Sequence, residues 1–441
     1  MKLYEIIKKH PKILKISLLV SPFLVYLFIS IIFFAPNNFS SLSNSIINNG
    51  SDPQTFIWFI NWWTYSIMHG LNPFFTKFIW APNGFNLAWS TSIPSISLAM
   101  TPITLIWGAV MSFNILVILT PVLSSVTCFY LVYYISKKYL PSLFAGYIFG
   151  FSSYELGQLL GHTNLDVTFI IPLLILLFLL RINNKINRLW YLIFIAIMLA
   201  IEFGISIEIF ATFLMFSTLA IIIFYYYSNI NIRKKILLTS LETISAIGLS
   251  LIILTPYLYF MIKNYKDASS AKNSAILFSS DLLNFIIPTP ITQLGHNIFS
   301  KISSHFVGNF SEEGSYLGVP FISILIYITI KLWKKTHIKA LSILFLIITI
   351  FTLGPKLHIN GSLTKIYLPW LAGTYLPLIK AALPDRFSLY LFLILAIIIG
   401  MWLSIKTTKK KSLIKYSIII IAIICSGSMI NRSGFLTLYW C

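Results

Sequence analysis

Charged residues are scarce in this 441-residue chain: they make up 10% of it, whereas 57% is hydrophobic and the mean hydropathy is +0.85. So little charge excludes an ordinary soluble domain, in which about 25% of the residues are charged. The composition therefore predicts a polytopic membrane protein.

Cysteine is rare as well. Cys128 and Cys425 lie within apolar segments, and Cys441 is the last residue. We therefore expect neither a disulfide framework nor a metal site built on cysteine. The chain also lacks an internal repeat, which argues against the transporter folds that are built from repeated halves.

Acidic residues are the scarcest charged class, with 12 Asp and Glu against 32 Lys and Arg, for a net charge of +20. The basic residues are spread over short loops between apolar runs rather than gathered on one face, so the charge does not predict a nucleic-acid partner. We expect these residues to orient the chain and to contact the anionic headgroups of membrane lipids.

A membrane-spanning helix needs about 20 apolar residues. The apolar runs predict eleven spans, at 13–35, 113–135, 140–153, 166–182, 189–203, 206–227, 236–262, 316–332, 338–353, 387–405 and 413–430. A further run, 93–111, contains Pro94 and Pro102 and is interpreted as a re-entrant or interfacial segment. The expected fold class is all-α polytopic, with additional interfacial helices in the first outer loop.

The expected organisation is a single integral membrane domain over 1–441. Residues 1–262 would form a core that includes the first outer loop, 36–112, followed by an outer loop at 263–315 and C-terminal spans at 316–441. No globular outer domain is expected after the last span, or only a reduced one.

The sequence also predicts which side each loop faces, because short loops rich in Lys and Arg stay in the cytoplasm. Six clusters of basic residues lie within 2–15, 137–138, 181–188, 233–235, 331–339 and 406–415. If 93–111 does not cross the membrane, all six clusters fall on one side. We therefore expect a multi-pass protein of the cytoplasmic (inner) membrane, with the N-terminus inside and the C-terminus outside. The acidic residues expected on the outer side are Asp52, Glu155, Asp166, Asp267, Asp281, Glu312, Glu313 and Asp385.

The first outer loop contains an Asp52-Pro53 pair followed by aromatic residues at helical spacing. Asp followed by Pro is typical of a helix start, and an aromatic helix suits the headgroup region. Asp52 has two compatible interpretations: a helix N-cap, or a general base at the membrane surface. A helix N-terminus would stabilise the ionised carboxylate that a base requires.

A second polar cluster lies between two predicted spans and contains Glu155, His162, Asn164 and Asp166. If the segment is helical, Glu155 and His162 are two turns apart and share a side. Ionisable groups at membrane depth are candidates for a functional site. The alternatives are that Asp166 caps the following span and that His162 is a polar anchor at headgroup level; two such groups are too few to predict a metal centre.

This order of features resembles the GT-C superfamily of membrane glycosyltransferases, such as the protein O-mannosyltransferases and the aminoarabinose transferases. The shared features are an acidic residue after the first span (Asp52), interfacial segments over 54–111, a basic turn at Lys137 and Lys138, and the polar stretch Glu155–Asp166. The resemblance covers residues 1–230. It differs in one respect, since Asp52 is followed by Pro53 where the family often carries a second acidic residue.

The resemblance implies transfer of a sugar from a polyprenyl-phosphate-linked donor to an acceptor hydroxyl, with inversion and with Asp52 as the base. The acceptor, whether glycan, lipid or protein, stays open. No metal ligand is assigned, and a divalent cation is left open. The candidate catalytic residues are Asp52, Glu155 and His162, and the candidate substrate-binding residues are Asn164, Asp166, Arg386, Lys380, Glu312 and Glu313.

Several of these residues have a second interpretation. Arg386 would bind the lipid phosphate through its forked donors, or it would pair with Asp385 or anchor at the interface. Glu312 and Glu313 would bind sugar hydroxyls or form a solvated acidic turn. Glu202 and Glu208 are expected to line the cavity, and Glu242 is expected to pair with a cytoplasmic Lys or Arg.

Two other function classes stay open at this point. One is a transporter or flippase for a lipid-linked or small polar solute. The other is a non-catalytic subunit of cell-surface polysaccharide assembly.

Overall fold

The computed structural model describes residues 11–35, 42–47, 52–263, 274–296, 298–376 and 379–426. Asp267, the first three lysines of the N-terminal cluster and the last residues of predicted span 413–430 lie outside this part of the chain. The described chain is mostly helical. Its α-helices are α1 (Pro11–Phe34), α2 (Asp52–Met68), α3 (Pro94–Ser136), α4 (Tyr139–Gly150), α5 (Ser153–Gln158), α6 (Thr163–Asp166), α7 (Ile170–Ile182), α8 (Arg188–Phe203), α9 (Ile207–Tyr227), α10 (Ile230–Ile253), α11 (Thr255–Lys263), α12 (Ile298–Ser303), α13 (Gly318–Leu332), α14 (Thr336–Thr352), α15 (Trp370–Gly373), α16 (Ser388–Ser404) and α17 (Lys409–Cys425).

Two short antiparallel hairpins accompany the helices. Strands β1 (Phe75–Thr76) and β2 (Phe85–Asn86) pair within the first predicted outer loop, and β3 (Lys356–Ile359) and β4 (Ser362–Tyr367) pair after α14. Short 3₁₀ turns occupy Leu282–Phe285, Gln293–Gly295, Phe310–Glu312, Ile379–Ala381 and Pro384–Phe387.

Each predicted span overlaps a helix among the described residues, but the span count stays a prediction. Among the described residues, five helical stretches are long and apolar enough to cross a membrane: Pro94–Ser136, Thr163–Ile182, Ile207–Tyr227, Ile230–Ile253 and Pro384–Ser404. Together with the composition, these helices indicate a membrane protein.

Helix α16 is the centre of the bundle. It is apolar all round, and almost all of its residues are buried, as expected for a helix that other helices surround. Tyr390 on α16 shares a hydrogen bond with Thr212 of α9 at 2.8 Å. Gly400 lies so close to Val132 of α3 that no side chain fits between them.

The segment predicted as re-entrant, 93–111, is part of α3 but is separated from the rest of that helix by a sharp bend. Gly108 has φ 84° and ψ 167°, a conformation that glycine adopts readily. The hydroxyls of Thr104 and Ser112 are 2.8 Å apart across the bend, whereas residues eight apart in a straight helix are about 12 Å apart along the axis. The chain therefore folds back at Gly108.

The predicted span 236–262 covers parts of two helices, α10 and α11, and α10 starts before the predicted span. Helix α10 begins at Ile230, because the side chain of Asn229 accepts a hydrogen bond from the Ile232 backbone N–H and caps the helix. The basic cluster at 233–235 therefore lies in the first turns of the helix rather than before it.

The loops predicted on the outer side contact one another. Trp89 donates to the Met261 carbonyl at 2.9 Å, and the Ser95 N–H donates to the Gly204 carbonyl at 3.2 Å. Ser153 donates to the Gly314 carbonyl at 2.7 Å. At the predicted cytoplasmic ends, Arg181 of α7 forms two hydrogen bonds with Glu242 of α10, at 2.6 and 2.7 Å, which confirms a basic partner for Glu242.

Candidate active site

Asp52 is the first residue of α2, and its side chain is 56% exposed. Its Oδ2 lies 3.4 Å from Nε2 of His162. Gly161 lies beside Asp52: a Cβ atom at that position would be 3.4 Å from Cβ of Asp52, an ordinary van der Waals contact. The hydrogen bond with His162 is the main reason why the pKa of Asp52 lies below its ordinary value, so the carboxylate is ionised at neutral pH.

His162 reaches Asp52 because the chain stops being helical after Gln158. Helix α5 ends there, and the His162 N–H still donates to the Gln158 carbonyl at 2.8 Å. This break overturns the prediction that Glu155 and His162 share a helical face. The His162 ring faces Asp52, whereas the Glu155 carboxylate accepts a hydrogen bond from Thr168 on the far side.

The other ring nitrogen of His162 has a defined partner. Nδ1 lies 2.8 Å from Oε1 of Gln158, whose Nε2 donates to the Ser311 carbonyl at 2.9 Å. Oε1 of Glu312 lies 3.8 Å from the same Nδ1. His162 is therefore held between the start of α2 and the turn at 310–312.

Behind His162, Arg386 connects two acidic side chains. Its Nε donates to Glu312 at 3.0 and 3.1 Å, its NH2 group also donates to Glu312, and its NH1 group donates to Glu208. The second Glu208 oxygen accepts the Leu383 N–H at 2.8 Å. Arg386 thus pairs with Glu208 and Glu312 rather than with Asp385, and all three guanidinium nitrogens are engaged in this structure.

Glu312 is buried with only 2% of its side chain exposed. Burial alone would raise its pKa, but the charge and hydrogen bonds of Arg386 outweigh burial, and the pKa lies below its ordinary value. Glu312 is therefore ionised. A solvated acidic turn at Glu312 and Glu313 was the wrong expectation, since both residues are only 2% exposed.

The side chains of Glu155 and Asp166 lie in the protein interior and have no described contact with Asp52. Both are buried, and Oε2 of Glu155 and Oδ1 of Asp166 each lack a hydrogen-bond partner among the described residues. Burial raises the pKa of Glu155 well above its ordinary value, and the nearby Asp166 raises it further. Asp166 ends α6 and does not cap α7, which begins at Ile170 without a side-chain cap.

Glu313 lies in a separate buried acidic group with Asp281 and Asp385. The Asp385 carboxylate accepts hydrogen bonds from Ser280, Ser315 and the Gly314 N–H. Asp281 accepts the N–H groups of Leu283, Asn360 and Gly361. Burial and these two carboxylates raise the pKa of Glu313 well above its ordinary value, so we expect it to be protonated and away from solvent.

The remaining predicted residues are at the periphery. Asn164 is half-buried in α6, and Lys380 is exposed in the turn Ile379–Ala381. Asp52 and His162 offer two metal ligands that contact one another directly. The described part of the chain has no group of three or more His, Cys, Asp or Glu residues arranged to hold a metal ion.

Two further residues, Gln158 and Ser311, contribute to the site. The four-residue spacing of Gln158 and His162 predicts that they share a helical face, but it assigned Gln158 no role. Ser311 contributes a backbone carbonyl, which no residue-type pattern indicates.

A solved structure of another protein has a similar fold. The Archaeoglobus fulgidus oligosaccharyltransferase, in a crystal structure of its apo form, is similar to this chain with a TM-score of 0.51 and 12% sequence identity over 94% of the chain. This chain spans 56% of the length of that protein. The likeness shows a GT-C-like fold, as the resemblance in the sequence implied.

Comparison of the sequence with family models identifies a family. None of the curated proteins matches the chain. A family model described as a domain of unknown function, DUF6311, matches residues 23–426. Because that match covers most of the sequence, the chain belongs to the DUF6311 family.

Proposed function

We propose that this protein is a membrane glycosyltransferase that moves a sugar from a polyprenyl-phosphate-linked donor to an acceptor hydroxyl on the outer face of the cytoplasmic membrane. The observation that carries the proposal is the contact of Asp52 with His162, backed by Glu312 and Arg386. These four residues come from four separate loops or element ends. The GT-C-like fold supports the same class of reaction.

Asp52 has the properties of a general base. Its carboxylate is ionised, more than half exposed and held by His162, so an acceptor hydroxyl can reach it. In the proposed step, the acceptor oxygen forms a bond to the anomeric carbon while the bond from that carbon to the phosphate oxygen breaks. The phosphate leaves with the bonding electron pair, the hydroxyl proton passes to Asp52, and the anomeric centre inverts.

The substrate-binding roles follow from which groups are accessible. Arg386 is engaged by Glu208 and Glu312, so its role in the proposed enzyme is to hold Glu312 beside His162. Of the two cations predicted to bind a lipid phosphate, Arg386 and Lys380, only Lys380 is exposed and unengaged by the carboxylates described above. Lys380 is therefore proposed to bind the phosphate. Asn164, half-buried two residues after His162, is proposed to contact the sugar or the acceptor.

The test uses the full chain in lipid nanodiscs, supplied with radiolabelled polyprenyl-phosphate sugars and a membrane extract as the source of acceptor. We expect Asp52→Asn to reduce the rate of polyprenyl phosphate release by about 10²–10⁴-fold, the usual contribution of a general base. The control is Gln54→Ala, an exposed change on the same helix, which should keep the wild-type rate. Equal rates for Asp52→Asn and wild type, with equal melting temperatures, would refute the role of Asp52.

A second arm separates transfer from transport. The same protein in sealed vesicles is supplied with a fluorescent lipid-linked sugar. Movement of this lipid between leaflets, without release of polyprenyl phosphate, would identify a flippase instead.

A further inference from the structure

The hairpin of β3 and β4 exposes apolar side chains on both of its faces. Five of the six residues of β4 are exposed. Leu363 and Tyr367 lie on one face of this strand and are 50% and 62% exposed, whereas Ile366 lies on the other face and is 54% exposed. A sheet face that meets water normally carries polar side chains. Apolar groups on two open faces therefore indicate contact with a membrane or with another protein.

The hairpin is attached to the rest of the protein along β3. His358 of β3 is buried, and its backbone forms a bridge with that of Asp281. The Asp281 carboxylate also accepts the N–H groups of the two turn residues, Asn360 at 3.0 Å and Gly361 at 2.7 Å. Both turn residues have positive φ, as tight hairpin turns require. Strand β3 and the turn are thus fixed, and β4 forms the outer edge.

The position of the hairpin along the chain determines its depth. Helix α14 coincides with the predicted span 338–353, and it ends at Thr352, four residues before β3 begins at Lys356. Four residues reach at most about 14 Å, so the hairpin starts close to the outer end of this helix. Open strand edges do not occur within the hydrocarbon, where their N–H and C=O groups would lack partners. The free edge of β4 therefore fits the headgroup region, which water reaches.

The charge of this segment complements an anionic surface. Residues 353–384 contain three lysines and neither Asp nor Glu. Lys365 lies between Leu363 and Tyr367 on one face of β4, and Nζ of Lys356 is 4.7 Å from the ring centre of Tyr367, its partner across the hairpin. Lysines beside aromatic residues are typical of the membrane–water interface, because the apolar stem contacts lipid while the ammonium group reaches the phosphates.

We propose that the β3–β4 hairpin lies in the headgroup region at the outer end of α14 and binds anionic phospholipids through Lys356 and Lys365. The side chains of Leu363, Ile366 and Tyr367 contact the lipid around these headgroups. This contact goes beyond the proposed function, because it requires neither a sugar donor nor transfer.

A second copy of the chain fits the hairpin less well. The Ile366 N–H in β4 is already bonded to Oγ1 of Thr364 at 3.2 Å. A symmetric pairing of two β4 edges would also bring the two copies of Lys365 together. A lysine on an edge strand is a common way to prevent such pairing.

The depth of the hairpin is measured on the full chain in nanodiscs, with the native cysteines replaced and a single bimane-labelled cysteine introduced. We expect the probe in Ile366→Cys to be quenched more strongly by lipids with a nitroxide at the headgroup than by lipids with a nitroxide in mid-chain. Leu346→Cys, at an exposed position within α14, should show the opposite order. Gln293→Cys, at an exposed polar position of another outer loop, should be quenched mainly by aqueous iodide.

The role of the lysines is measured with the same probe at Ile366. In a zwitterionic nanodisc, quenching by spin-labelled phosphatidylglycerol is compared with quenching by spin-labelled phosphatidylcholine. We expect Lys356→Gln and Lys365→Gln each to lower the preference for the anionic lipid by about fivefold, the usual contribution of one basic residue near an anionic surface. Lys334→Gln, a change of an exposed lysine before the other end of α14, should leave the preference unchanged.

Strong quenching of the Ile366 probe by iodide and none by lipid nitroxides would place the hairpin in water and overturn the proposal. Protection from both kinds of quencher would show that a second copy or another protein covers the hairpin, which would overturn it as well. An unchanged lipid preference in both lysine variants would refute the binding of anionic headgroups. None of these results depends on transfer, so an inactive protein would refute the proposed function and leave this contact intact.

Discussion

At the scale of single residues, His162 favours the ionised form of the Asp52 carboxylate. The hydrogen bond with His162 lowers the pKa of Asp52, so the carboxylate stays ionised well into the acidic range. The sequence placed both residues on the outer side, but it could not show that they touch. The contact depends on the end of α5 at Gln158, a local feature that helical periodicity does not reveal.

The first prediction concerns pH. In His162→Gln, the main cause of the lowered Asp52 pKa is lost, so the acidic limb of the rate profile should move to higher pH. The sign follows because a carboxylate with a higher pKa becomes protonated, and inactive as a base, earlier as the pH falls. A pH profile of kcat/KM checks this, and an unmoved acidic limb would show that Asp52 does not control it.

The second prediction concerns Arg386, whose guanidinium is paired with Glu208 and Glu312 in the interior. Arg386→Met would leave two carboxylates in a buried site without their cation and should destabilise the protein by about 3–5 kcal/mol. Thermal unfolding in detergent measures the change. The triple variant Arg386→Met, Glu208→Gln, Glu312→Gln removes the charges together and should recover part of the loss; a single variant as stable as the wild type would contradict this account.

At the scale of helices, hydrophobic runs predicted where elements lie more accurately than how they pack. Span 206–227 coincides with α9 within one residue, because a capping Ser206 and a long apolar run determine it. The bend at Gly108 and the early start of α10 at Ile230 differ from the prediction. The bend depends on the backbone torsions of Gly108, and the helix start depends on the capping side chain of Asn229. An average of hydropathy over many residues detects neither feature.

The third prediction tests helix packing through two glycines of α4. A Cβ atom at Gly150 would lie 2.5 Å from the Pro121 carbonyl and 2.7 Å from the Ser125 N–H, and Gly146 lies equally close to α3. These contacts are with backbone atoms that cannot move aside. Gly150→Ala should therefore destabilise the protein by about 1–3 kcal/mol, as overpacking usually does.

The matched control is Gly248→Ala in α10, where a Cβ atom would meet nothing within 4 Å. Alanine is the better helix former there, and the change should be neutral or stabilising by up to about 1 kcal/mol. The melting temperatures of the Gly150→Ala and Gly248→Ala variants test this prediction. An equal fall in both would mean that α4 does not pack against α3 as described.

At the scale of the whole molecule, the distribution of charge predicted which loops would meet. The loops expected outside bring together Asp52, His162, Glu312 and Arg386, although the residues lie far apart in the sequence. What the sequence could not predict was which acids would face solvent. The sequence grouped Glu155 and Glu313 with Asp52, because all three were expected on the same side of the membrane. In the structure, Glu155 is buried beside Thr168, and Glu313 is buried beside the loop that contains Asp281. These are tertiary contacts, which the sequence does not show.

The proposed function requires the Asp52–His162 site to face the outer side of the membrane. Cysteines are introduced singly at Gln54, beside Asp52, and at Lys185, in a predicted cytoplasmic turn, after the three native cysteines have been replaced. A membrane-impermeant maleimide is applied to intact cells and to permeabilised cells. We predict that Gln54→Cys is labelled in intact cells and Lys185→Cys only after permeabilisation, whereas the opposite pattern would place the Asp52–His162 site in the cytoplasm and contradict the proposal.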